Sequence, residues 1–77
     1  MTVIRASSRL QWVQQLREVI SDNGFVVGTV KYAKGAKRSG IVYIRRNSFR
    51  IYIYNVETGK EITADPSKVS EVEIIEI

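Results

Sequence analysis

Two periodicities divide the chain. From Ser8 to Asp22 the apolar residues Trp12, Val13, Leu16, Val19 and Ile20 recur at helical spacing, with Leu10 on their flank. Gln11, Gln14, Gln15 and Glu18 take the opposite side. Ser7 or Ser8 offers an N-cap and Asn23-Gly24 a stop, so the pattern predicts a helix over about 8–22, packed by its apolar stripe. Beyond Gly24 the period falls to two. Phe25–Tyr32 reads as a first strand, in which Gly28 marks a bulge or a bend.

The run Gly40–Asn55, GIVYIRRNSFRIYIYN, reads as a β-hairpin turning at Asn47-Ser48, since Asn tolerates positive φ. That register pairs Val42 with Ile53, Tyr43 with Tyr52, Ile44 with Ile51, Arg45 with Arg50 and Arg46 with Phe49. One face then carries Val42, Ile44, Phe49, Ile51 and Ile53, and the other Tyr43, Arg45, Arg50, Tyr52 and Tyr54. A slip of one residue would bury the arginines, which fixes the register. Ala33–Ser39 reads as a flexible basic loop and Glu57–Lys60 as a turn. Glu61–Ala64 reads as a fourth strand, Asp65–Lys68 as a turn or single 3₁₀ turn, and Val69 or Glu71 to Ile77 as the last strand. Thr2-Val3-Ile4 is an extended lead outside this count. The whole predicts one α+β domain, mainly β, in which the helix precedes a five-stranded, strongly bent antiparallel barrel over about 25–77.

Charge changes this picture more than composition does. The net charge is only +4. Yet Phe25–Asn55 holds Lys31, Lys34, Lys37, Arg38, Arg45, Arg46 and Arg50 with no acid, while the acids gather after Val56. One positive side facing a polyanion is the expectation. The chain has no Cys and no His. The disulfide, thiolate-metal and His-based sites are thereby excluded, and neither a metal nor a cofactor is expected. With the usual bases and nucleophiles missing, an enzyme is the poorest reading. The alternating Glu71 and Glu73 read as a solvated strand face. No apolar run nears a membrane span and no signal-peptide core is visible, so a soluble cytoplasmic protein is expected.

Gly35 and Gly40, then the apolar run Ile41, Val42, Ile44, a turn, and the apolar run Phe49, Ile51, Ile53 resemble the Sm/LSm/Hfq pattern. Asp65–Val72 sits where that family places a short loop and final strand. The resemblance implies an SH3-like, Sm-like barrel and is compatible with a ring; separately, the last strand reads as apolar on both faces, so one face would serve a second copy in a homo-oligomer joined through the terminal strand. It carries over no base-reading residue, because Arg46 and Arg50 stand where that family has its Asp and Asn, and its closing motifs are missing. Tudor-like, KOW-like and other SH3-like barrels fit the same pattern.

Non-catalytic binding of nucleic acid, RNA or single-stranded DNA rather than duplex, is the expected function. Lys34, Lys37, Arg38, Arg45, Arg46 and Arg50 would neutralise phosphates, and Tyr43, Tyr52 and Tyr54 would offer stacking faces. The alternative is a protein-interaction module, an inhibitor or accessory subunit, that docks the same Arg/Tyr face on an acidic protein partner.

Overall fold

A computed structural model describes residues 2–20 and 24–75. The helical pattern gives α1, Arg9–Ile20. Ser8 caps it, its hydroxyl accepting from Gln11 N–H at 3.2 Å and its carbonyl from Trp12 N–H at 3.0 Å. At the other end Gly24, with φ of 81°, donates its N–H to the Ile20 carbonyl at 2.8 Å, so glycine supplies the left-handed stop. The expected extension to Asp22, the Asn23 of the stop signal and the expected strand end at Glu76 and Ile77 lie outside the described residues.

The remaining elements are strands: β1 Thr2–Ile4, β2 Val26–Tyr32, β3 Lys37–Tyr43, β4 Ile51–Asn55, β5 Lys60–Ala64 and β6 Val69–Ile75, with a 3₁₀ turn at Pro66–Lys68 before β6. They form one antiparallel sheet in the order β1-β6-β2-β3-β4-β5. The expected count of five becomes six, because the extended lead pairs with β6 through Thr2↔Ile74, Val3↔Glu73 and Ile4↔Val72. The expected closed barrel is not formed. The outermost strands, β1 and β5, are not bonded to each other, and α1 instead covers the inner face of an open, bent sheet. The terminal strand β6, one face of which was expected to serve a second copy, lies inside the sheet. It has β2 on one side and β1 on the other over Val72–Ile74, so the free edges belong to β1 and β5.

Inner-face residues alternate as the period of two requires. Val30, Val42, Ile51, Ile53, Ala64, Val69, Val72 and Ile74 meet Ile4, Trp12 and Leu16 in one core. Each large side chain so buried contributes on the order of 1.5–3 kcal/mol. Val19, read as part of the helical stripe, is 37% exposed and outside it. Gly28 and Gly40 face each other across β2 and β3. A Cβ on Gly28 would stand 2.3 Å from the Glu73 carbonyl oxygen, and one on Gly40 2.4 Å from that of Tyr54. Only glycine lets β6, β2, β3 and β4 approach this closely, which is the bend expected at Gly28. The irregularity in the β2–β6 ladder comes three positions later. Its register slips between Lys31 and Tyr32, leaving Ser70 as an extra residue whose hydroxyl donates to the Lys31 carbonyl at 3.0 Å.

Candidate nucleic-acid interface

The central hairpin is half as expected. Val42↔Ile53 and Tyr43↔Tyr52 pair in the anticipated register, with Ile41↔Tyr54 continuing it. Below Tyr43 the strands part. Residues 44–50 form the connection, and Ser48 N–H donates to the Arg45 carbonyl at 3.2 Å, so the turn centres on Arg46-Asn47 rather than Asn47-Ser48. Asn47 takes the positive φ, 64°. Phe49, expected in the core, is 57% exposed, because it falls in the connection beyond the paired ladder, where no strand register points it inward.

The expected facing of Arg45 with Arg50 therefore does not occur. Like charges across a ladder repel, and the longer connection frees Arg45 to find an acid. Its Nη2 lies 3.0 and 2.9 Å from the two Glu61 oxygens, and its guanidinium carbon sits 4.6 Å from the Tyr52 ring centroid. Tyr43 and Tyr52 stack on each other, with centroids 5.5 Å apart and planes at 18°. The Tyr52 hydroxyl is 3.0 Å from Ser48 Oγ, which also accepts from Arg50 N–H at 3.3 Å. This corner binds itself.

Charge is likewise matched on the neighbouring strands. Lys31 pairs with Glu73 across β2 and β6, Arg5 with Glu71 at 3.8 Å, and Arg9 with Asp65 at 3.2 Å. The hydrogen bond to Glu73 raises the Lys31 pKa above its ordinary value. Asp65 is lowered, first by the Ser67 N–H and hydroxyl it accepts at 3.0 and 2.9 Å, and then by Arg9 and Arg50.

The remaining candidates stand apart. Lys34 lies in the β2–β3 turn, where Tyr32 N–H donates to the Ala36 carbonyl and Gly35 N–H to that of Tyr32. The turn is short, 33–36, so Lys37 and Arg38, expected in a flexible loop, open β3 instead. They are separated from Arg45 and Arg46 by the length of that seven-residue strand, about 20 Å. Thus Tyr43, Arg45 and Tyr52 come together, and Tyr54 follows on the same outer face. Lys34, Lys37 and Arg38 sit at the opposite end, and Arg46 and Arg50 lie in the β3–β4 connection.

Two further cations join these groups. Arg17 of α1 lines a groove of about 490 Å³ with Ile20, Ile44, Arg45 and Arg46. Lys60 joins Lys37 and Arg38 around a cleft of about 370 Å³ between β3 and the β4–β5 hairpin. Arg17 looked like any solvated helix charge, and Lys60 was hidden in the turn signal Glu57–Lys60. Among the described residues, Arg17, Lys34, Lys37, Arg38, Arg46, Arg50, Lys60 and Lys68 have no carboxylate within ion-pair distance. No group of three or more His, Cys, Asp or Glu among the described residues is placed to hold a metal, and no helix is long and apolar enough to cross a membrane. Comparison with protein-family models, curated proteins and solved structures finds no match to this chain.

Proposed function

We propose that this chain is a non-catalytic nucleic-acid-binding protein that takes single strands or RNA, chiefly through their phosphates. The observation that carries the reading is the set of surface cations without carboxylate partners among the described residues, distributed over both ends of β3. A polyanion is the ligand such a surface would hold, with each phosphate contact releasing a counterion. Tyr54 adds a half-buried aromatic ring on the outer face. Pairing with a second copy would use the free edges of β1 and β5.

Fluorescence anisotropy of a labelled oligouridine tests this. With four or five phosphate contacts, log affinity should fall against log salt with a slope of about −3. An oligonucleotide that fails to bind even at low salt would overturn the reading. A second reading, docking on an acidic protein partner, is favoured by Val3, Phe25 and Ile75, apolar side chains left 44–54% exposed. Under that reading the protein would show no salt-dependent retention on a single-strand nucleic-acid column.

A further inference from the structure

β3 has a strand on both sides only at Ile41 and Val42. From Lys37 to Gly40 it pairs with β2 alone, so above the Gly40–Tyr54 approach the sheet splits and β3 diverges from the β4–β5 hairpin. The split opens the cleft of about 370 Å³ already described. Its floor is Ile53 and Ile62, and its walls are Lys37, Arg38, Ser39, Asn55, Thr58 and Lys60.

The chemistry of these walls is one-sided. Three cations enter the lining and no carboxylate does. Asn55 spends its side-chain oxygen on the N–H groups of Glu57 and Thr58, at 2.9 and 3.3 Å, which shapes the β4–β5 turn and leaves its amide nitrogen as a donor. Arg38 anchors one guanidinium nitrogen on the Lys37 carbonyl at 3.1 Å, leaving the remaining N–H groups to a ligand. Arg38 also occupies an inner-face position, opposite Val30, and Lys60 another, opposite Asn55, where lower on the same face Val42 and Ile53 build the core. Both cations are exposed there, so at the mouth of the cleft their charge is open to solvent or to an anion.

We infer that this cleft is a phosphate-binding site that holds the backbone of the bound single strand, with Lys37, Arg38 and Lys60 as the contacts. The inference rests on the nucleic-acid reading for the identity of the strand, and on the cleft alone for the phosphate. Its ligand chemistry is the non-bridging phosphate oxygen, met by charge-assisted donors of Arg38 and Lys60 on the inner face, with Lys37 at the rim. Base identity is not read there, because the lining offers neither an aromatic face nor an acceptor side chain that is free.

Two measurements test it. Tripolyphosphate, followed by heteronuclear NMR, should move the amide signals of Ser39, Asn55 and Lys60. The triple variant Lys37→Gln, Arg38→Gln, Lys60→Gln should then bind oligouridine at least about tenfold more weakly, with a salt slope shallower by about 2. A control that removes three cations already paired with carboxylates, Arg5→Gln, Arg9→Gln, Lys31→Gln, should lose less than about threefold, and Lys37→Arg with Lys60→Arg should bind as the parent does. Silent amides with tripolyphosphate, or a control as weak as the cleft variant, would overturn the cleft while the nucleic-acid reading stood. A parent protein that responds to tripolyphosphate but binds no oligonucleotide would overturn the strand as its ligand.

Discussion

The two ends of β3 carry similar side chains and meet opposite fates. At the Tyr43 end, Tyr43 stacks on Tyr52, Arg45 lies over Tyr52, and Glu61 neutralises Arg45 from the next strand. At the Lys37 end the strand beside β3 is missing on one side, and among the described residues no carboxylate pairs with Lys37 or Arg38. Charge written in a sequence is therefore not the same as charge available to a ligand. Strand pairing decides which cations are spent inside the protein. It is the pairing of β4 with β5 that brings Glu61 within reach of Arg45 and leaves Lys60 at the cleft.

The comparison can be broken most forcefully at the point where the two regions meet. Gly40→Ala would drive a methyl group into the Tyr54 carbonyl and should destabilise the fold by about 3 kcal/mol, read from chemical denaturation. A stability close to the parent's would mean that β3 and β4 can separate freely, and the division between the two ends would lose its basis. Arg45→Ala should cost less, about 1 kcal/mol, since it removes a partly exposed ion pair and a cation–π contact. Glu61→Gln sharpens the contrast in binding. It releases Arg45, yet oligouridine affinity should rise by less than about threefold if the cleft carries the main phosphate contacts. A larger gain would move the interface to the Tyr43 end.

The smallest effects are expected from pH. Asp65 is lowered in the folded protein, so its contribution is present above the ordinary carboxylate pKa and disappears as pH falls through the folded value. Asp65→Asn should thus be less stable than the parent near neutrality and equal to it in strong acid. Lys31 runs the other way. Raised by Glu73, it stabilises fully below its ordinary value of 10.5, and the benefit is lost as pH climbs through the folded value. Thermal melts across the two ranges check both signs.

Alternation made the upper hairpin legible in the sequence, because burying Val42, Ile51 and Ile53 while exposing Tyr43 and Tyr52 admits one register. The same rule failed at Phe49. Nothing local says that the ladder stops at Tyr43 and Tyr52, which leaves Phe49 in a connection that has no inner face. Lys37 and Arg38 were read as loop because a strand segment that buries nothing shows no alternation, and all of Lys37, Arg38 and Ser39 are exposed. Thr2–Ile4 paired for a similar reason unseen: three residues are too few to display a period, and their partner lies at the other end of the chain. The Arg/Tyr cluster was visible as a list of residues. Its partner Glu61 was not, since that contact depends on β5 lying beside β4.

That short first strand has a consequence for how the molecule breathes. β1 holds β6 through three residue pairs and a single buried side chain, Ile4, so it is the weakest attachment in the sheet. In hydrogen exchange its amides, and those of β6 that face it, should lose protection long before the amides between β2 and β3. Each such opening bares the β6 backbone over Val72–Ile74 to solvent and to other chains. Three residues thus act as a latch, and the lifetime of the latched state sets how often β6 replaces β1 as the free edge of this sheet.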